Sequence, residues 1–183
     1  MLKDLLDVKK VLDKYHTEFF LLYGTALGAY RDGDFLPGDD DIDLGTFNSS
    51  HREEIKQELT KLGFDISTCF DTKRNVYVPS KMILAIRNTQ VDIFFFEEQK
   101  KGYVAHRDGF SRPFTYLPKK FNKTQKIIFK GHEFNIISPI EEYLSEFYSD
   151  WKSTKKEHGK LYKKPFWRQP AFRKRIRQIF RIH

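Results

Sequence analysis

The chain has 183 residues, of which 39% are hydrophobic and 16% aromatic, and this size and composition predict one globular domain with a substantial core. Its longest uninterrupted apolar runs, such as residues 19–23 and 93–96, are far shorter than the roughly 20 residues that a membrane-spanning helix needs. The single cysteine, Cys69, excludes an internal disulfide and, with six scattered histidines, argues against structural zinc.

The net charge of +8 is distributed unevenly. Residues 1–150 carry 21 lysines and arginines against 24 aspartates and glutamates, a net charge of −3, whereas residues 151–183 carry 12 against 1, a net charge of +11. We therefore expect a folded domain over residues 1–158 and a basic, partly amphipathic tail over 159–183. The N-terminus, MLKDLLDVKK, lacks the apolar stretch of a secretory signal, so we expect a cytoplasmic protein.

Hydrophobic periodicity predicts the elements of the first third of the chain. Leucines and valines form an apolar stripe over residues 2–15, which predicts a helix, and a short strand is expected over 18–23. Ser50 and Glu53 have the spacing of a capping box. The apolar face that follows predicts a second helix over about 50–62, ended by Gly63.

Strand-like segments dominate the rest of the predicted domain. Residues 64–70, 81–87, 91–97 and 103–106 have β-strand character, with a tight turn at 88–90. A hairpin is expected from 127–129 and 133–137 around Lys130-Gly131, and Pro139 is expected to open a helix over about 140–150. This order predicts an α+β (mixed α/β) fold with a small sheet.

Four aspartates lie within the five residues from Asp39 to Asp43. The alternation in Asp41-Ile42-Asp43-Leu44 is that of a strand, which directs both aspartates to one face, with Cα atoms about 7 Å apart, and both apolar residues into the core. Carboxylates on a rigid strand suit Mg²⁺ or Mn²⁺, and such a cation relieves their mutual repulsion. We therefore predict a divalent metal site; the turn residue Asp39 is either a further ligand or merely solvated.

Other interpretations of this stretch fit less well. The D-x-D-x-D spacing at 39–43 resembles the start of an EF-hand loop, but Leu44 stands where glycine is needed and Ser50 where glutamate is needed. Gly24 and Gly28 have neither the Walker spacing nor the dinucleotide-binding G-x-G-x-x-G pattern. The remaining alternative is a solvated acidic turn.

A third carboxylate lies in the apolar segment 91–96. Asp92 is costly to bury as an ion unless it is paired or coordinates a metal, so we predict that its carboxylate has such a partner. The alternative is a structural aspartate that accepts backbone hydrogen bonds at a sheet edge. Asp40 falls on the opposite side of the strand alternation and is not expected to take part.

Three motifs, in this order along the chain, resemble the LicD and fukutin family of the nucleotidyltransferase-fold superfamily. They are Gly24-Thr25-x-Leu27-Gly28-x-x-Arg31, Phe35-Leu36-Pro37-x-Asp39-x-Asp41-Ile42-Asp43-Leu44-Gly45 and Val91-Asp92-Ile93-Phe94. The resemblance extends through segments 131–134 and 142–148 and covers roughly residues 15–158. Gly38 stands where the family usually has a bulky aromatic residue, and Ser149 stands where it usually has glycine.

The resemblance implies a small central mixed sheet flanked by helices and a phosphotransferase activity. Family members move a phosphorylated alcohol, such as phosphocholine or ribitol phosphate, from a CDP-linked donor to a hydroxyl of a sugar or glycan acceptor and release CMP. The alternative within the same fold is a nucleotidyltransferase that moves a whole nucleotide onto a small molecule or macromolecule.

The resemblance also implies roles for the motif residues. Asp41 and Asp43 are expected to bind Mg²⁺ or Mn²⁺ as catalytic residues, and Asp92 either shares a metal or accepts the proton of the attacking hydroxyl. Gly24 and Thr25, at a strand-to-helix turn, are expected to present backbone N–H groups to phosphate.

Basic residues supply further candidates. The resemblance implies that Arg31 offers a forked donor to the phosphate oxygens. Lys81 and Arg87 lie on the strand expected to pair with that of Asp92 and are weaker candidates for phosphate contact. His106 is equally compatible with a base and with a surface histidine.

The C-terminal segment 170–183 predicts a basic amphipathic helix. Its apolar face consists of Phe172, Ile176, Ile179 and Phe180. Five lysines and arginines lie on the rest of the helix. Such a helix suits an anionic membrane surface, and the alternative is that the same face docks on the domain. A non-catalytic module that binds nucleic acid or membrane through this tail is the competing class of function, and nucleic-acid binding, the less favoured of the two, would depend steeply on salt.

Overall fold

A computed structural model describes residues 1–48, 50–67, 70–71, 76–77, 82–106, 113–148 and 150–153. Its helices are α1 (Leu2–Lys14), α2 (Tyr23–Leu27), α3 (Arg52–Lys61) and α4 (Ile140–Phe147), and a π-helical turn, Gly28–Asp32, follows α2. Its strands are β1 (Phe20–Leu21), β2 (Asp41–Thr46), β3 (Asp65–Ser67), β4 (Phe70–Asp71), β5 (Val76–Tyr77), β6 (Met82–Ile86), β7 (Gln90–Phe95), β8 (Glu97–Gln99), β9 (Gly102–His106), β10 (Pro113–Pro118), β11 (Lys123–Phe129) and β12 (His132–Ser138).

The described strands build one large mixed sheet and two small ones. Seven strands lie in the order β11-β12-β1-β2-β7-β6-β3, so β2 occupies the middle of the sheet. It runs parallel to β7 and antiparallel to β1, which in turn is parallel to β12. Strands β10-β9-β8 form a separate antiparallel sheet, and β4 pairs with β5. The predicted mixed α/β fold with helices around a central sheet is confirmed.

Burial of the apolar residues of β2 holds the central strand in place. Ile42 and Leu44 are fully buried, as the alternation predicted, in the same hydrophobic core as Leu5 of α1 and Ile55 of α3. Each such side chain contributes about 1.5–3 kcal/mol when it is removed from water. The opposite face of β2 carries Asp41 and Asp43, which are half-buried.

A partly buried ion-pair network joins α1 to the turn after β6. Arg87 donates from Nε and Nη2 to Oδ1 of Asp4, at 2.9 and 2.5 Å, and from Nη2 to Oδ2 of Asp7 at 2.5 Å. Asp4 is only 1% exposed, and the guanidinium lies 4.3 Å from the centroid of the Phe64 ring. The weaker interpretation of Arg87 as a phosphate contact is therefore replaced by a structural one.

The predicted helices over 2–15, 50–62 and 140–150 are confirmed within a few residues. The prediction of a capping box at Ser50 and Glu53 is wrong, because α3 begins at Arg52 without a side-chain cap. The Ser50 N–H donates instead to Oδ1 of Asn48 at 2.9 Å. Strands β5, β8 and β10 were not predicted. The tail 159–183, Ser149, Lys81 and the side chain of His106 lie outside the described residues.

None of the described helices has both the length and the apolar character needed to cross a membrane.

Candidate active site

Parallel strands β2 and β7 bring together the three aspartates that the sequence singled out. Asp43 and Asp92 are register partners, and Asp41 lies two residues before Asp43 on the same face of β2. The three carboxylates offer oxygen atoms that all lie within 4.8 Å of one another. Asp41 and Asp43 are half-buried, while Asp92 is 8% exposed.

This donor set fits a hard divalent cation. Three carboxylate oxygens at this spacing match the oxygen ligands that Mg²⁺ and Mn²⁺ prefer, with the remaining coordination positions left for water and substrate oxygens. Without a cation the three negative charges repel one another in partly buried surroundings. The residues present therefore have the chemistry to hold Mg²⁺ or Mn²⁺, and both the bound cation and the roles of these residues stay predictions.

A second acidic group adjoins the first among the described residues. Asp39, Asp40 and Asp41 also place carboxylate oxygens within 4.8 Å of one another, so Asp41 belongs to both groups. Burial, reinforced by the charges of Asp41 and Asp40, raises the pKa of Asp39 to about 7. Asp40 is exposed and directly precedes β2, which begins at Asp41, and its exclusion from the site stays a prediction.

Gly24 makes room for the carboxylate of Asp39. A Cβ atom built at Gly24 would stand 2.6 Å from Oδ2 of Asp39, which is closer than real Cβ atoms approach such an oxygen. The absence of a side chain at this position in α2 thus lets the Asp39 carboxylate lie against the helix. Presentation of the Gly24 N–H to phosphate stays a prediction.

Thr25 fixes α2 to the strand that carries the aspartates. Its Oγ1 accepts a hydrogen bond from the Asp43 N–H at 3.0 Å, and its side chain is buried. The carbonyl oxygen of Asp43 accepts from the Leu22 N–H at 2.9 Å. The backbone of Asp43 is therefore held on both its donor and its acceptor by the segment 22–25.

Gln90 is a site residue that the sequence analysis missed. Its Nε2 donates to Oδ1 of Asp92 at 3.1 Å. Gln90 precedes Asp92 by two residues on β7 and therefore shares its face, and it is also the register partner of Asp41. The alternation that located the aspartates would have located Gln90 had it been extended by one step.

Arg31 has partners other than the acidic groups. Its Nε and Nη2 donate to Oδ1 and Oδ2 of Asp32 at 2.8 and 2.7 Å. Its Nη1 donates to the carbonyl oxygens of Trp151 and Ser153 at 3.2 and 3.1 Å. Arg31 therefore ties the π-helical turn after α2 to the last described residues, and its contact with phosphate stays a prediction.

Two buried tyrosines, Tyr23 and Tyr143, meet at the start of α2. Tyr23 has a positive φ of 43°, and its backbone N–H donates to the hydroxyl oxygen of Tyr143 at 3.0 Å. The hydroxyl of Tyr23 is hydrogen-bonded to the hydroxyl of Thr115. Burial raises the pKa of both phenols far above the ordinary value, so both stay neutral. No feature of the sequence distinguishes these tyrosines from ordinary core residues.

Comparison with known proteins places this site in context. Residues 16–136 match the family model described as the LicD/FKTN/FKRP nucleotidyltransferase domain. The chain is 30% identical over 127 residues to ribitol-5-phosphate transferase FKTN of Macaca fascicularis, covering 65% of this chain and 26% of that protein. It is 26% identical over 100 residues to the uncharacterized protein RP689 of Rickettsia prowazekii (strain Madrid E), covering 54% of this chain and 34% of that protein.

The matches with these relatives thus take in about a third of their own length or less. Among solved structures, the chain is similar to the lincosamide antibiotic adenylyltransferase LnuA in its lincomycin-bound crystal structure, with a TM-score of 0.53 and 15% identity over 79% of this chain and 84% of that one. At this identity the likeness shows a nucleotidyltransferase-like fold.

Proposed function

The chain belongs to the LicD/FKTN/FKRP nucleotidyltransferase-domain family, as its motifs predicted, and from this membership we propose that it transfers a phosphorylated alcohol from a CDP-linked donor to a hydroxyl of a glycan acceptor, with release of CMP. The similarity to a ribitol-5-phosphate transferase supports transfer of a phosphate-containing group. We propose a group of the phosphocholine or alditol-phosphate type.

The observation that carries the proposal is the convergence of Asp41, Asp43 and Asp92 at one point of the sheet. We propose that Asp41 and Asp43 hold Mg²⁺ or Mn²⁺, with Asp39 as a further ligand. When bound, the cation supplies positive charge to the diphosphate oxygens and to the leaving group. The hydrogen bonds of Thr25 and Leu22 keep the backbone of Asp43 in place for this task.

The proposed reaction is a displacement at phosphorus. The oxygen of the acceptor hydroxyl forms a bond to the phosphorus that bears the alcohol, the bond from that phosphorus to the bridging oxygen breaks, and CMP leaves with the electron pair. Asp92 is proposed either to accept the hydroxyl proton or to share the cation, and in the second case the proton passes to water. Gln90 orients one carboxylate oxygen of Asp92 in both cases.

The first turn of α2 is proposed to contact the donor phosphates. Backbone N–H groups at Gly24 and Thr25 are the candidate donors, since N–H groups at the start of a helix favour anions. Arg31 is proposed to add a forked contact to the same oxygens, which requires its guanidinium to exchange its bonds with Asp32 or with the carbonyls of 151 and 153.

The second candidate function is transfer of a whole nucleotide, which the same carboxylates would also serve. The fold shared with an adenylyltransferase is the observation that favours it. In that reaction the bond nearer the nucleoside breaks and pyrophosphate is released from a nucleoside triphosphate. Incubation with a panel of CDP-linked alcohols and of nucleoside triphosphates, with mass spectrometry of the products, separates the two. Release of CMP together with a phosphorylated acceptor supports phosphotransfer, whereas pyrophosphate and a nucleotidylated acceptor would contradict it.

A further inference from the structure

Tyr23 adopts a backbone conformation that persists only where its surroundings hold it. Its φ of 43° lies in the left-handed region, which is uncommon for a bulky residue and is found at functional sites where neighbouring contacts enforce it. The residue is buried, and its ring lies edge-on to Phe94 and Phe147, with centroid distances of 6.0 and 5.5 Å. Tyr23 also directly precedes the Gly24-Thr25 pair.

A hydroxyl group from α4 holds the backbone of this residue. The Tyr23 N–H belongs to the first turn of α2, where N–H groups have no acceptor within the helix, and the hydroxyl oxygen of Tyr143 accepts it at 3.0 Å. The Tyr143 side chain is fully buried, with its ring 5.6 Å from that of Phe121 and 4.8 Å from that of Phe147. The position of the hydroxyl is therefore set by packing.

The residues that follow Tyr23 touch two aspartates of the site. Gly24 leaves the space in which the Asp39 carboxylate lies, and the Oγ1 of Thr25 accepts from the Asp43 N–H. A shift of the first turn of α2 consequently moves both contacts together. The path from α4 to the carboxylates thus runs through one hydrogen bond and one short stretch of backbone.

We propose that Tyr143 is a positioning residue, which orients Asp39 and Asp43 for cation binding by fixing the strained backbone of Tyr23. The inference rests on the proposed function, because it takes the carboxylates to bind a divalent cation. Tyr143 touches neither the reacting atoms nor the cation in this scheme. Phenylalanine at position 143 would fill the same space and lack only the acceptor for the Tyr23 N–H.

The test compares Mn²⁺ binding by the full chain and by Tyr143→Phe, measured by titration calorimetry, with thermal unfolding measured in parallel. We expect Mn²⁺ affinity to fall about tenfold, in the range seen when a partner behind the ligands is removed. The matched control is Tyr116→Phe, since Tyr116 is also buried and donates to the carbonyl of Lys101 at 2.7 Å in the smaller sheet. This control is expected to lower thermal stability and to keep wild-type Mn²⁺ affinity.

A second variant decides the matter if Tyr143→Phe does not fold. Thr115→Val keeps the side-chain volume and removes the hydroxyl that is hydrogen-bonded to the Tyr23 hydroxyl, so it is expected to weaken Mn²⁺ binding selectively as well. Wild-type affinity in Tyr143→Phe, or in Thr115→Val where the first variant does not fold, overturns the inference, as does an equal loss in Tyr116→Phe. A wild-type chain that binds no Mn²⁺ overturns the metal site of the proposed function and this inference with it.

Discussion

Asp43 and Asp92 are register partners on adjacent parallel strands, so the two carboxylates leave the sheet from the same face and at the same level. Neighbouring side chains in this arrangement point the same way, and burial of the intervening apolar residues prevents either strand from turning over. The strand register therefore places this pair, and Asp41, two residues before Asp43 on the same face of β2, completes the group.

Neutralising one carboxylate of β2 is expected to separate activity from stability. Asp41→Asn and Asp43→Asn should each lower turnover by about 10³-fold or more, because the charge stabilisation of a bound cation is lost. The same changes should leave the fold intact and raise the melting temperature in the absence of metal, since they relieve repulsion between like charges. Asp65→Asn, an exposed change on β3, is the control in both the activity and the unfolding assays. Retention of most activity in either variant would contradict the assignment.

The two proposed roles of Asp92 make different predictions for Asp92→Asn. Turnover should fall severely in both cases, and the fold should persist because an asparagine oxygen can still accept from Gln90. If Asp92 serves as a base alone, the Mg²⁺ affinity measured by calorimetry should change little. If it is a ligand, affinity should fall along with activity. A variant with wild-type rates would show that Asp92 is a structural residue.

Gly24→Ala tests the contact between α2 and Asp39. The new Cβ would stand 2.6 Å from Oδ2 of Asp39, so the carboxylate has to move away from the helix. We expect about a tenfold loss of Mn²⁺ affinity, comparable to the loss of a supporting contact behind a metal ligand. In an Asp39→Ala background the same substitution should have little further effect. Equal losses in both backgrounds would mean that Gly24 acts on another part of the site.

Arg87→Met should destabilise the protein without touching catalysis. The change leaves Asp4 buried without its cation, and breaking such a pair costs about 3 kcal/mol of unfolding free energy, as denaturant titration would measure. The control Lys3→Met removes an exposed ion pair with Asp7 and should cost no more than about 0.5 kcal/mol. A raised KM for the donor in Arg87→Met would restore the interpretation of Arg87 as a phosphate contact.

The stability difference between the wild type and Arg87→Met is expected to depend on pH. In the wild-type protein, the hydrogen bond from Arg87 lowers the pKa of Asp7 below the ordinary 3.8. The stability that this pair contributes is therefore present above that pH and is lost as pH falls through the lowered pKa. The difference in unfolding free energy between wild type and Arg87→Met should therefore shrink on acidification below pH 3.8. A difference that grows in that range would contradict this account.

The sequence predicted the outward face of β2 and the isolated carboxylate of β7 because both follow from strand alternation and from the cost of burying Asp92. It did not predict the contact between Tyr23 and Tyr143, since no local pattern indicates which distant residue accepts a given backbone N–H. The capping box at Ser50 failed because Asn48 captures the Ser50 N–H. Long-range pairing therefore sets the details that periodicity leaves open.

The segment 170–183 lies outside the described residues, and its prediction rests on the sequence alone. Five lysines and arginines accompany one apolar helical face, and no acidic residue follows Glu157. Polybasic attraction is worth about 1 kcal/mol per basic residue near an anionic surface, which is enough for reversible binding that salt weakens. A chain truncated after Gln169 should keep its activity on a soluble acceptor fragment and lose sedimentation with phosphatidylserine vesicles, while neutral vesicles should bind neither form. If the apolar face instead docks on the domain, truncation should lower the melting temperature and leave sedimentation unchanged, and that result would refute membrane contact.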